Sequence, residues 1–553
     1  MTANTASAFR RAGKKTLIPA LLFALSIVLT VFVTWQTAQS CLDGDASSEL
    51  VLAHHLNETG RILSSDWYYS SELRVLNTQL VFAPLFSLFS DWTMVRFTGA
   101  LILQATLVLS FFYLCRQAKL SWGARFLGGA LLLLPVSAAY GRFVLYHSYY
   151  MPHITISFFI VSLFLSALRY VNETRWLHAF IRFTLLCGLS LGSGLGGVRQ
   201  GVVTHIPLLF LLIVFLFQDA GRMSVSEALR AHGKSLALIC AALLAFLLGY
   251  IINVRYLSSW FVFSSYNDLT LNLLDSLKLP DILYGLLHAF GFRENLRILS
   301  VLGILSVSAV FSFGFFLVRS ALFALLSQQI SSACRFIALF FAGALTVMLC
   351  VFLLVDSGWY YPLYLLPVLI WCVPMLCVLY DDMPERASQL GRADICLLLC
   401  VLFLSANGLA NSAFFASCGK FFPQKYEGVG YEDMTLAQKL EKPVEFLMEN
   451  GYELGYSQFW SSNPVTEISD GKIKMINLLV HQYNRPLIVH EFLMLRSTYD
   501  MQTDKVFLLL PAFYNKAYVE MDIPDKGELV YDDGEFFIYH FDDPSVLREY
   551  TRW

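Results

Sequence analysis

The chain has 553 residues, 57% of them hydrophobic and only 14% charged, with a mean hydropathy of +0.58 and a net charge of −2. A soluble domain averages about 45–50% apolar and about 25% charged residues. The composition therefore excludes an ordinary soluble protein, and the near-neutral charge argues against nucleic acid as a partner.

The apolar excess lies in runs of about twenty residues, the length a helix needs to cross a bilayer. They predict about eleven spans, over 17–38, 93–115, 124–141, 153–170, 181–198, 202–218, 235–254, 298–318, 336–355, 360–380 and 393–413. Each is expected to be helical, because backbone polar groups in lipid must bond within their own segment. The first run is longer than a signal-peptide core and no small-residue cleavage site follows, so it reads as a retained helix. Lys and Arg set the orientation. Arg10, Arg11, Lys14 and Lys15 precede the first span, and Arg116, Lys119, Arg125, Arg169, Arg175, Arg182, Arg222, Arg230 and Lys234 fall on the same side. That side is expected to be cytoplasmic, with the N-terminus. The long segments 39–92, 255–297 and 414–553 then all lie outside. Residues 1–413 read as a transmembrane domain and 414–553 as an extracytoplasmic domain, in a plasma membrane. Neither a Walker loop nor a dinucleotide fingerprint is present.

The first outer loop, 39–92, follows the first span with three acids, Asp43, Asp45 and Glu49. Ser47 to Leu56 has Leu50, Ala53 and Leu56 on one helical face, with Asp43 or Asp45 as N-cap. A second amphipathic stretch runs from Glu72 to about Phe89. Both suit an interfacial position, as do Trp67, Tyr68, Tyr69 and Trp92.

A first transmembrane helix, an acidic loop and an amphipathic helix in this order resemble the GT-C superfamily of membrane glycosyltransferases. The resemblance is to the group of the protein O-mannosyltransferases and lipid A aminoarabinose transferases. In that group an Asp at this point is followed six residues on by a Glu. Asp43 and Glu49 have that spacing, with 'SSELVLAHHL' as the helical part. The position after Asp43 is Gly44 rather than a second acid, so Asp43 and Asp45 both stand as the catalytic carboxylate or as ligands of a divalent metal. The resemblance implies a GT-C-like polytopic fold. It also implies a polyprenyl-phosphate-linked sugar as donor, membrane lipid around it, and a glycan, lipid or protein acceptor. Transfer needs a carboxylate to take the acceptor's proton and cations where the leaving phosphate gains charge. Arg199, in 'GLGGVRQG', and Arg142 and Arg255 lie near outer span ends and are the phosphate candidates. Glu49, His54, Tyr149, Tyr150 and Trp460 are candidates for holding sugar or acceptor. A transporter or flippase, and a polymerase or ligase of lipid-linked surface glycans, are the alternative readings.

Cys41 and Cys418 are expected just outside the first and last spans, where a disulfide is open to them. The C-terminal segment is richer in charge and reads as a small α+β domain. It predicts a helix over 433–450, a strand at 452–460, an Asp470-Gly471 hairpin over 464–479, a buried strand at 505–511 and a second Asp-Gly hairpin over 528–541.

Overall fold

The computed structural model describes residues 3–289, 332–382 and 435–551, apart from 41, 71–72, 136, 222, 265–269, 272–277, 357–360, 480–486 and 522–524. Between 290 and 331 only 307–308, 311, 314 and 318 are described. The expected spans at 298–318 and 393–413, and the Cys41–Cys418 pair, therefore lie wholly or largely outside the described residues.

Helix α1 (Ala3–Ser40) opens the membrane part. Its hydroxyls do not interrupt it, because Thr37 Oγ1 donates to the Val33 carbonyl (2.9 Å) and Ser40 Oγ to that of Gln36 (2.8 Å). The chain then forms α2 (Gly44–Thr59), α3 (Gln79–Leu85), α4 (Trp92–Gln117) and α5 (Trp122–Leu133). Among the described residues of the stretch read as amphipathic from Glu72 to Phe89, only α3 is helical. Pro135 follows α5 closely, so the span expected at 124–141 is a short helix followed by one turn (Ala138–Tyr140) and a wide π turn (Gly141–Tyr146).

Four helices follow: α6 (Met151–Asn172), α7 (Trp176–Gly194), α8 (Ile206–Ala220) and α9 (Val225–Arg255). Helices α7 and α9 cross backbone to backbone. A Cβ on Gly194 would lie 2.1 Å from the Phe246 carbonyl, and one on Gly249 2.1 Å from that of Leu191. Then come α10 (Lys278–Ala289), α11 (Ser332–Leu354), α12 (Tyr361–Leu369) and α13 (Cys372–Asp382). The span read at 360–380 is thus broken in two. Trp371 at the break is fully buried, 4.3 Å from the Phe340 ring, and its indole N–H donates to Ser157 (3.2 Å). Seven helices among the described residues are long and apolar enough to cross a membrane.

The C-terminal region holds α14 (Leu436–Glu449), α15 (Phe459–Ile468), α16 (Ala512–Glu520) and α17 (Pro544–Thr551). Its sheet is built from β1 (Leu454–Gln458), β2 (Lys474–Leu479), β3 (Ile488–Val489), β4 (Val506–Pro511), β5 (Glu528–Asp532) and β6 (Phe536–Phe541). The order is β3-β2-β1-β4-β6-β5, with β1 parallel to β2 and β4, and the other pairs antiparallel. Apolar residues cover both faces of β4, as its unbroken 'VFLLL' requires: Leu508 packs with Tyr456 on one side, Phe507 and Leu509 with Val444 on the other. The hairpin read at 528–541 is present. The one read at 464–479 is instead α15 followed by β2. Asp470 and Gly471 do turn the chain there, both at positive φ (50° and 74°), but they join a helix to a strand. Packing of α15 onto α2 and β2 overrides the local strand pattern.

Candidate active site

Helix α2 begins three residues after the first span. Asp43 caps it, its carboxylate accepting from the Ala46 N–H (2.7 Å), and Gly60 closes it at φ 62°. Leu50, Ala53 and Leu56 are buried as the periodicity predicts, with Ala46 on the same face, but so are Ser47, Ser48 and Leu52 on the remaining surface. The helix is therefore not laid on a membrane interface. It is clamped between α3 and α15. Gly44 explains itself here, since a Cβ would stand 2.6 Å from the Phe459 carbonyl of α15. Trp67, Tyr69 and Trp92, read as interfacial aromatics, are buried in the same seam.

The seam is stitched by polar contacts between distant segments. Arg96 on α4 meets Glu467 on α15 through two 2.6 Å hydrogen bonds, with both side chains 3% exposed, and also donates to the Ala46 carbonyl (3.0 Å). The Trp92 N–H donates to Asp470 (3.0 Å), and Asn463 to the Gly44 carbonyl (3.3 Å). Tyr68 exchanges backbone hydrogen bonds with Leu493 and Met494.

Two cavities flank the first turn of α2. One, of about 180 Å³, is lined by Asp45, Glu49, Arg74, Tyr149, Tyr150 and Arg199, among others. Asp45 and Glu49 are four apart and share a helical face. Glu49 is held by the Thr78 hydroxyl and by Asn77 (3.3 Å) at the start of α3. Arg199 lies in the loop between α7 and the π turn Gly201–His205, 3.3 Å from His153 and over the rings of Tyr150 (5.3 Å) and Tyr364 (5.5 Å). The Tyr149 hydroxyl is buried on this cavity without a hydrogen-bond partner among the described residues. The Asp45 carboxyl is pushed up to about 7 by burial and by the adjacent Asp43, against the pull of Arg74.

The other cavity, of about 280 Å³, is lined by Asp43, Arg142, His147 and Trp460. Asp43 accepts from Arg142 at 2.5 Å, and His147 Nδ1 lies 3.6 Å away. Burial raises the Asp43 carboxyl, but His147 and Arg142 outweigh it and hold the group below the usual carboxylate range.

The remaining candidates lie elsewhere. His54 is on α2 but packs on Phe86 and Trp92, each 5.0 Å between ring centres, and faces Glu58 at 3.6 Å. Arg255 ends α9 in an exposed position. Two residues that the sequence reading did not single out for the site complete it. Arg74 lines the first cavity, and buried Asn253 donates to the Leu73 carbonyl (3.0 Å) and the Leu195 carbonyl (2.6 Å), pinning the loops that carry Arg74 and Arg199. A buried Asn near the end of a span was the available signal. Among the described residues no three His, Cys, Asp or Glu side chains gather around one point. A divalent ion at this site would have Asp45 and Glu49 as its carboxylates.

A polytopic helical protein whose first loop carries acids into a cavity beneath a C-terminal αβ region has counterparts of the same fold among solved structures. Among solved structures the chain is similar to ArnT from Cupriavidus metallidurans in the apo state, with a TM-score of 0.52 and 10% identity over 95% of this chain and 98% of that one. It is also similar to the oligosaccharyltransferase of Archaeoglobus fulgidus tethered to an acceptor peptide, with a TM-score of 0.45 and 10% identity over 95% of this chain and 74% of that one. No family model and no curated protein matches the chain.

Proposed function

We propose that this protein is an integral-membrane glycosyltransferase that moves a sugar from a polyprenyl-phosphate donor to an acceptor on the side of the C-terminal region. Asp45 is the observation that carries the reading: a half-buried carboxyl on a cavity that Arg74 and Arg199 also line, directly after the first span. The acceptor hydroxyl attacks the anomeric carbon and gives its proton to Asp45. The bond from that carbon to the phosphate oxygen breaks, and the polyprenyl phosphate leaves with its electron pair. Arg199 and Arg74 stabilise the charge that gathers on it. Asp43, already committed to Arg142 and the α2 N-terminus, orients the turn that carries Asp45 and does not take the proton. Glu49, Tyr149 and Tyr150 hold the sugar. Trp460 and Arg142 line the neighbouring cavity, which takes the acceptor. In this reading 1–413 form the catalytic membrane domain, 414–553 the outer domain, and the N-terminus is cytoplasmic in a plasma membrane.

Sugar transfer in proteoliposomes supplied with a panel of polyprenyl-phosphate sugars tests this. Wild type is expected to transfer one of them, Asp45→Asn and Arg199→Ala to lose at least about a hundredfold, the order of general-base and electrostatic contributions. Full activity of Asp45→Asn in folded protein removes the assignment of the base. Absence of transfer from every donor by folded wild type removes the class.

A further inference from the structure

A second site stands at the other face of the membrane part, about one membrane thickness away. Helix α4 starts at Trp92, bonded to Asp470 of the C-terminal region, and its 26 residues span roughly 39 Å at 1.5 Å each before Gln117. Gln117 lines a cavity of about 520 Å³ walled by Phe164, Leu168, Leu212, Ile239 and Phe336.

The polar groups at its rim are incompletely matched. Arg335 donates one guanidinium arm to Gln218 and lies 5.4 Å over the Phe215 ring, but its Nε–H is buried and has no acceptor among the described residues. The Gln117 side-chain oxygen, on the same cavity, is buried and has no donor among the described residues. Asp219 also lines it but is paired to His232 at 2.7 Å, so it does not answer Arg335. Exposed Lys119 adds a further positive charge. The protein therefore leaves one buried cationic donor and one buried acceptor at the ends of helices, at headgroup depth, over an apolar chamber. A matching ligand carries an anionic oxygen, a hydrogen-bond donor and a hydrocarbon body.

We infer that this cavity binds one glycerophospholipid of the surrounding leaflet, its phosphate on Arg335 and Lys119, its headgroup hydroxyl or ammonium on Gln117, and an acyl chain along Leu168, Leu212 and Phe336. Arginine suits a phosphodiester because its planar fork presents parallel donors. The site does not depend on the proposed glycosyl transfer, since it shares no residue with the cavities around α2.

Native mass spectrometry of the full-length protein, delipidated in detergent and titrated with phosphatidylglycerol, tests the site. One lipid is expected to survive activation in wild type and to raise the thermal midpoint. Arg335→Gln is expected to weaken that binding about tenfold, the loss of one charge-assisted hydrogen bond. Leu168→Trp keeps the arginine but fills the chamber, and is expected to expel the lipid, so it decides the matter if Arg335→Gln does not fold. Retention of the lipid at wild-type strength in either folded variant overturns the site. So does equal stabilisation of wild type by inorganic phosphate alone, because an ion would then account for the cation cluster. Failure of wild type to retain any phosphatidylglycerol assigns the unmatched Nε–H to water and overturns it as well.

Discussion

Asp43 and Asp45 are two residues apart and differ in every physical respect. Asp43 has its oxygens taken by Arg142 and the helix N-terminus, while Asp45 stands on the cavity with its carboxyl raised to about 7. A base must be ionised, so transfer is expected to rise with pH through about 7, a limb measurable in a pH profile of kcat/KM. The same shift predicts a stability effect. The folded protein holds the Asp45 proton between about pH 4 and 7 while the unfolded chain has lost it, so stability falls as pH rises across that window. Asp45→Asn removes the effect and is expected to stabilise the protein above pH 7 by at most about 4 kcal/mol, with little gain at pH 4. Thermal midpoints at the two pH values check this. Tyr149→Phe gives up a hydroxyl with no partner among the described residues. It is expected to leave the midpoint unchanged or raised by about 1 kcal/mol of stability while lowering transfer, and an unchanged transfer rate would remove Tyr149 from sugar binding.

At the scale of elements, α2 is the piece whose setting differs most from its pattern. Its periodic Leu50, Ala53 and Leu56 announce one buried face, and nothing local announces the second. Ser47 and Ser48 are buried on a helix that packs on both α3 and α15, and α15 lies four hundred residues along the chain. Gly44 is the trace of that contact in the sequence, legible only once Phe459 is seen against it. Gly44→Val is expected to destabilise the protein by about 2 kcal/mol or more, since the clash is with backbone and cannot be relieved by a rotamer. Limited proteolysis of the 435–551 region reports the loss. The same logic applies to α15 itself. Asp470-Gly471 is a turn signal correctly read as a turn, but the element before it is set by burial against α2 rather than by strand propensity.

Across the whole molecule, the buried pair Arg96–Glu467 ties membrane helix to C-terminal region over 371 positions. Removing one partner leaves an uncompensated buried charge, so Glu467→Gln and Arg96→Met alone are each expected to cost about 3–5 kcal/mol. The double substitution Arg96→Met with Glu467→Leu is expected to recover most of that stability, and a double-mutant cycle of thermal midpoints measures it. The sequence by itself determined the membrane class, the first span, the acidic turn after it, the helix α2 and the hydrophobic strand β4, because each rests on composition or on periods of two to four residues. Asp45, Glu49, Tyr149, Tyr150 and Arg199 were all named from it, since charges and clustered aromatics at span ends stand out against an apolar background. Only the tertiary structure decided that these five share a cavity, that Asp43 belongs to a neighbouring one, that Asn253 pins two loops and that Arg96 answers Glu467. Such contacts are fixed by packing between segments tens to hundreds of residues apart, and no local spacing encodes them.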